Sequence, residues 1–146
     1  MGDRLLFHLA IPITNIDQAM DFYAKALGCR VGRSNPGAII FEFYGHQLVA
    51  HMTKIELQPQ VGVYPRHFGM VFLDEQDWDM TLERAKKHHL TFRHQPRVRF
   101  PGMLTEHKTF FLEDPFYNLL EFKWYCHQEA IFSGTEITEI GDRPEA

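Results

Sequence analysis

The sequence predicts an α+β fold made of two tandem β-α-β-β-β modules, and three observations predict it. Short runs of apolar residues recur with period two between turn residues. Two stretches repeat instead with helical spacing. The order strand, helix, strand, strand, strand then occurs twice, offset by about sixty residues.

The first module spans residues 5–57. Leu5, Phe7, Leu9 and Ile11 alternate with His8, Ala10 and Pro12, which predicts a strand from Leu5 to Ile13. Thr14-Asn15-Ile16-Asp17 reads as a capping box with Thr14 at the cap. Ile16, Ala19, Met20, Tyr23, Ala26 and Leu27 follow at helical spacing, and Gly28 stops the helix. Strands are expected at Cys29–Arg33, Ala38–Tyr44 and Gln47–Thr53, separated by turns at Ser34-Asn35-Pro36-Gly37 and Gly45.

Residues 58–66 read as a linker, and residues 67–126 repeat the pattern. His67–Leu73 is the opening strand, with Phe68, Met70 and Phe72 on its bulky face. Asp74 caps a helix marked by Trp78, Thr81, Leu82, Ala85 and His89. Phe92–Phe100, Lys108–Glu113 and Asn118–Tyr125 close the module, with turns at Pro101-Gly102 and Asp114-Pro115. The loop from Pro101 to His107 is longer than its counterpart, as loops over sites often are. Residues 127–146 form a tail, polar and acidic from Thr135 on, expected to be loosely held.

Composition narrows the function. A net charge of −4 gives no basic footprint, so no nucleic-acid partner is expected. No apolar run approaches the ~18 residues of a membrane helix, and Met1-Gly2-Asp3-Arg4 does not open a secretory signal. The two cysteines, Cys29 and Cys126, are isolated and form neither a disulfide framework nor a CxxC motif, which fits a reducing cytoplasm. Cupin-type, HExxH and phosphate-loop motifs are also missing.

The chemistry lies on the strands. His8, His51, His67 and Glu121 each sit on the face opposite their strand's bulkiest apolar residues. His8 and His67 open the two copies; His51 and Glu121 lie in the strands that close them. Three imidazoles and a carboxylate on one cleft suit a divalent ion such as Fe, Mn, Ni, Co or Zn. Glu121 inside LLEFKW needs such a partner, or a salt bridge to Lys123 or an arginine, because burying a lone charge is costly. His107, ahead of the penultimate strand, is placed to reach the cleft mouth as an acid/base. Arg97 and Arg99 share a strand face suited to an anionic substrate or to solvent.

With these residues in view, the chain resembles the vicinal oxygen chelate superfamily, which includes glyoxalase I, bleomycin-resistance proteins, extradiol dioxygenases and thiol transferases acting on fosfomycin. The resemblance runs over about residues 5–125, through FHLAIPI, RHFGMVF and DPFYNLLEF. It implies a curved open-barrel sheet around a metal cleft, with His8, His67 and Glu121 as ligands. It also implies that His51 stands where glyoxalases supply a fourth ligand, as a ligand or an acid/base. Modules in this superfamily pair within a chain or across a dimer, so a homodimer acting on a small molecule is expected.

The resemblance leaves several activities open. Two histidines and a carboxylate suit a non-haem Fe(II) oxygenase. The extradiol motif, however, expects a tyrosine where this chain has Phe111 and a small residue at Tyr117. Glyoxalase-type isomerisation needs a base beside the metal, and here the second glutamate of that subfamily is replaced by His51. A thiol transferase and a metal-free, antibiotic-sequestering binding module complete the set.

Overall fold

The computed structural model describes residues 5–141. Strands β1 (His8–Ile13), β2 (Arg30–Asn35), β3 (Ala38–Phe43) and β4 (His46–Met52) form one sheet in the order β1-β4-β3-β2. Strands β5 (Phe68–Phe72), β6 (Thr91–Arg99), β7 (His107–Glu113) and β8 (Leu119–Tyr125) form the other in the equivalent order β5-β8-β7-β6. In each sheet the opening strand pairs parallel to the closing one, and the remaining pairs are antiparallel. The duplication read from the sequence is thus an α+β fold of two β-α-β-β-β modules.

The helices differ from each other. In the second module, α2 (Glu75–Lys87) is capped by Asp74, whose side chain accepts from Gln76 N at 2.9 Å. It buries Trp78, Thr81, Leu82 and Ala85, as the spacing predicts, while His89 lies beyond its end and is exposed. In the first module, α1 (Ile16–Ala19) is capped by Asn15 and not by Thr14: Asn15 is extended, and its side chain accepts from Gln18 N at 2.8 Å. The chain then widens into a π-helical stretch, Met20–Ala26. Leu27 N donates to Phe22 O, five residues back, and Phe22, Tyr23, Ala26 and Leu27 are all buried.

The bulky faces of both sheets contribute to one apolar cluster. Ile11, Ile13, Phe41, Phe43 and Leu48 from the first meet Phe72, Phe110, Leu120 and Phe122 from the second. Ring contacts cross the seam, Phe43 to Phe68 at 5.7 Å and Tyr44 to Phe72 at 5.3 Å between centroids. Polar ties cross it too. The Tyr23 hydroxyl donates to buried Asp114 at 2.6 Å, and Arg84 donates to the carbonyls of Ala26 and Lys25 at 2.8 and 3.0 Å. The opposite faces of both sheets, which carry the candidate site residues, therefore turn away from this shared core.

Strand ends fall within two residues of the expected limits except at β1, which begins at His8, three residues after Leu5, and one shift has a consequence. His67 precedes β5 and closes the linker instead of lying within the strand. That linker is ordered by its own polar groups: Gln60 donates to Gly62 O and Arg66 O, and Arg93 donates to Gln60 O and Val61 O. The tail is also better held than its composition suggests. A 3₁₀ turn (Gln128–Ile131) buries Ala130, and the segment up to Gly141 lies beside Phe100, His107, Lys123 and Tyr125.

Candidate metal centre

Glu121 faces outward for a simple reason. Leu120 and Phe122, its neighbours in β8, are fully buried in the core, and strand alternation leaves Glu121 on the other face. Antiparallel register places Phe111 of β7 opposite Glu121, Thr109 opposite Lys123 and His107 opposite Tyr125. All these residues share the outer face of the second sheet.

His67 meets Glu121 there. Its Nε2 lies 3.1 Å from Glu121 Oε1, and its Nδ1 lies 2.7 Å from the carbonyl oxygen of Val63. A carbonyl only accepts, so Nδ1 carries a proton. Nε2 then faces the carboxylate either with a second proton or with a lone pair that calls for a cation. The ring is wedged edge-on against Phe111 at 5.0 Å and Tyr64 at 5.9 Å. The other carboxylate oxygen of Glu121 accepts from Thr109 Oγ1 at 2.5 Å.

The electrostatics follow from these contacts. The hydrogen bond to Glu121 holds the His67 imidazole above its ordinary pKa, against burial. Burial would raise the Glu121 carboxyl, but His67, the nearby Lys123 ammonium and Thr109 together hold it below its ordinary value. Lys123 makes no salt bridge with Glu121 among the described residues; its ammonium lies over the Tyr125 ring, 5.1 Å from the centroid.

Gly69 makes this strand pairing possible. It lies opposite Glu121 in the parallel β5–β8 ladder, and a Cβ there would collide with the Glu121 peptide. Its effect is to let two backbones approach.

His8 and His51 lie elsewhere. His8 is exposed on the outer face of the first sheet, with Nδ1 2.7 Å from the side-chain oxygen of Gln47, its register partner. Nδ1 donates in that bond, which leaves Nε2 free to bind a ligand or ion. His51 is exposed on the same face, opposite Pro12 of β1 and Ala38 of β3. Among the described residues, no group of three or more His, Cys, Asp or Glu side chains is placed to hold a metal ion. A single chain therefore joins His67 to Glu121 and leaves His8 and His51 apart from them.

The registers also correct the pairing of the modules. Superposing His8 on His67 matches Ala10 to Gly69, and their strand partners are Val49 and Glu121. The counterpart of Glu121 is thus Val49, and His51 corresponds to Lys123, two residues further along.

His107 is buried on this face, its ring 4.9 Å from that of Tyr125. Its Nδ1 donates to Thr105 O at 2.9 Å. Burial, with the nearby Lys123 and Arg99 cations, pushes the imidazole below its ordinary pKa. It is neutral near pH 7, with Nε2 available as a base. Of the two arginines expected to share a face, Arg97 pairs with Thr109, and Arg99 pairs with His107 and stacks over Phe100.

Thr109, Val63 and Tyr64 complete the pocket of the His67–Glu121 pair, and sequence reading missed all three. Thr109 was in principle findable, because the short Asp114-Pro115 turn nearly fixes the β7–β8 register. The Val63 carbonyl and Tyr64 reach His67 through the path of the linker, which no periodicity encodes.

Residues 5–122 match the family model described as the Glyoxalase/Bleomycin resistance protein/Dioxygenase superfamily. The chain belongs to this superfamily. A glyoxalase/bleomycin resistance protein/dioxygenase from Alicyclobacillus acidocaldarius is 43% identical, with 88% of this chain and 96% of that one covered and a TM-score of 0.82. Two more distant likenesses show the shared superfamily fold alone. The fosfomycin resistance protein FosX from Listeria monocytogenes is 15% identical, covering 86% of this chain and 97% of that one, with a TM-score of 0.67. Lactoylglutathione lyase from Agrobacterium tumefaciens is 18% identical, covering 82% and 92%, with a TM-score of 0.62. No curated protein matches the chain. No helix among the described residues is long and apolar enough to cross a membrane.

Proposed function

We propose that this superfamily member is a divalent-metal-dependent enzyme acting on a small oxygenated substrate. In this reading His67 and Glu121 are metal ligands from one chain, and His8 is supplied by a second copy. The carrying observation is the His67–Glu121 pair: a 3.1 Å approach in which each partner is oriented from behind, His67 by Val63 and Glu121 by Thr109. Ligating histidines and carboxylates usually have such outer partners. His8, fixed by Gln47 with Nε2 exposed, has the same preparation. Its exposed position beside Leu5, Leu6 and Phe7, each at least 60% exposed, supports completion of the site by another copy.

A divalent ion in this site would polarise two substrate oxygens and stabilise the charge developing on them. The chain's own residues supply the rest. Glu121, held ionised, balances the ion's charge, and Thr109 keeps the carboxylate from rotating. His107 Nε2 takes or returns a proton at the cleft mouth, and His51, supplied with His8 by the second copy, acts as an acid/base or a further ligand. A neutral, buried imidazole on this face favours glyoxalase-type proton transfer. Phe111 opposite Glu121 leaves that position without a phenol, which disfavours extradiol ring cleavage. A thiol transferase has no residue of its own to support it.

The second reading is a metal-free binding protein of the same fold. One observation favours it: His67 and Glu121 satisfy each other as an ion pair, and one chain assembles no three-ligand group. Metal analysis separates the readings. The purified protein is expected to retain a stoichiometric divalent ion that raises its melting temperature, and His67→Ala and Glu121→Gln to lose it. A wild type with neither retained metal nor a metal-dependent melting shift refutes the enzyme reading.

A further inference from the structure

The outer face of the second sheet carries cations beyond Glu121 that the metal reading does not use. Arg97, Thr109 and Lys123 are successive cross-strand partners, and Arg99, His107 and Tyr125 form the next row. Lys123 is two residues from Glu121 on the same face of β8, half-buried, with its ammonium over the Tyr125 ring at 5.1 Å. Among the described residues no carboxylate lies within salt-bridge distance of it. This contrasts with Lys108 on the opposite face, which is bound by Glu75 at 2.9 Å and approached by Asp79 at 3.7 Å.

The segment after β8 turns this row into a cavity. From Ala130 to Gly141 it forms a wall facing Phe100, His107, Lys123 and Tyr125, enclosing about 330 Å³. That volume suits a ring or short chain with one charged group. The rings of Phe100, His107, Tyr125 and Phe132 line the cavity together with Lys123, which is two residues from Glu121 in β8. One carboxylate, Glu139, also lines the cavity, but it is exposed at the rim. A half-buried ammonium that stands over an aromatic ring, with Glu121 near but no carboxylate within salt-bridge distance among the described residues, is placed to accept an anion.

We propose that this cavity is an anion subsite, in which Lys123 binds a carboxylate or phosphonate of the substrate while the C-terminal segment covers the substrate body. The inference rests on the reading of His67 and Glu121 as the reacting centre only for its direction. The substrate is then a small organic anion whose charged group lies on the Tyr125 side of its chelating oxygens. In the first module the place corresponding to Lys123 is held by His51, on the other sheet.

The test uses the full chain and three probes that share one ring: benzoate, phenylphosphonate and neutral benzamide. Titration calorimetry and backbone NMR shifts follow their binding, and metal content is measured on the same samples. The wild type is expected to bind one or both anions about tenfold more tightly than benzamide, the range of one charge-assisted hydrogen bond. The preferred anion identifies the charged group. Lys123→Met is expected to abolish the preference with metal content unchanged, and Lys123→Arg to keep it. Shifts are expected at Tyr125 and in residues 130–141. Equal affinity for anion and amide in the wild type, or a preference that survives Lys123→Met, overturns the proposal. Anion preference in a protein without metal supports the subsite and overturns the metal reading. Metal without anion preference does the reverse.

Discussion

Replacing Gly69 with alanine tests whether the close approach of β5 and β8 holds the site together. A Cβ on Gly69 would collide with the Glu121 carbonyl oxygen and stand 2.6 Å from its carbonyl carbon and 2.9 Å from its nitrogen. The obstacle is backbone, which cannot swing aside as a flexible side chain can. Relief requires the two strands to part by roughly 1 Å, at the typical overpacking cost of about 1–3 kcal/mol. Weakening one ladder hydrogen bond adds about 1 kcal/mol. The expected loss is therefore about 3 kcal/mol, or roughly 6–12 °C in melting temperature for a chain of this size. Urea denaturation of Gly69→Ala against wild type measures it. Gly62→Ala is the control, because nothing lies within 4 Å of a Cβ there and a change within about 0.5 kcal/mol is expected. A Gly69→Ala protein as stable as the control would refute the close-approach argument. A destabilised protein whose His67 still titrates as in wild type would show that the strand pairing does not set the site's geometry.

Two further outcomes follow from the His67–Glu121 pair. In the metal-free protein, His67 is raised from 6.5, so its contribution to stability is complete below that pH and is lost as pH climbs through the folded value. Glu121 is lowered from 4.5, so its contribution is present above that pH and is lost as pH falls through the folded value. The pair thus stabilises most between about pH 4.5 and 6.5, and the stability difference between wild type and Glu121→Gln should peak there. Chemical denaturation from pH 4 to pH 9 measures this, and a flat difference rejects the pair as an ionic interaction. Thr109→Val removes the donor that steadies Glu121 Oε2 with little change of shape. It should raise the Glu121 pKa, followed by carboxyl NMR, and weaken Mn(II) binding about tenfold or more. Unchanged affinity would make Thr109 a packing residue only.

Much of the architecture was legible because strand alternation and helical spacing are local signals. Leu120, Phe122 and Glu121 already declared which face was core and which was not. The duplication then placed His8 and His67 at equivalent positions. Four features were hidden for identifiable reasons. The π-helical stretch leaves its apolar spacing close to that of an α-helix, so only the hydrogen bond from Leu27 to Phe22 exposes it. Thr14 and Asn15 are both good caps, and the choice between them depends on backbone angles that neither residue dictates. Strand register was the costliest gap. His51 and Val49 share a face, and sequence spacing alone cannot tell which of them stands where Glu121 stands in the second module. The pairing of Ala10 with Val49 decides it. The approach of Val63 to His67 depends on the folded path of the linker, a tertiary property.

The two sheets turn their apolar faces to one core and their polar faces outward, and this divides the sequence by risk. Substitutions at His8, Gln47, His51 or Lys123 alter chemistry at surfaces that carry little of the folding free energy. Substitutions at Phe41, Phe110 or Phe122 alter stability and touch no candidate ligand. A lineage built this way can exchange polar side chains or acquire a new charge preference by single steps that leave the chain folded. Gly69 is the exception. It belongs to both accounts, because a Cβ there would press on the strand that carries Glu121.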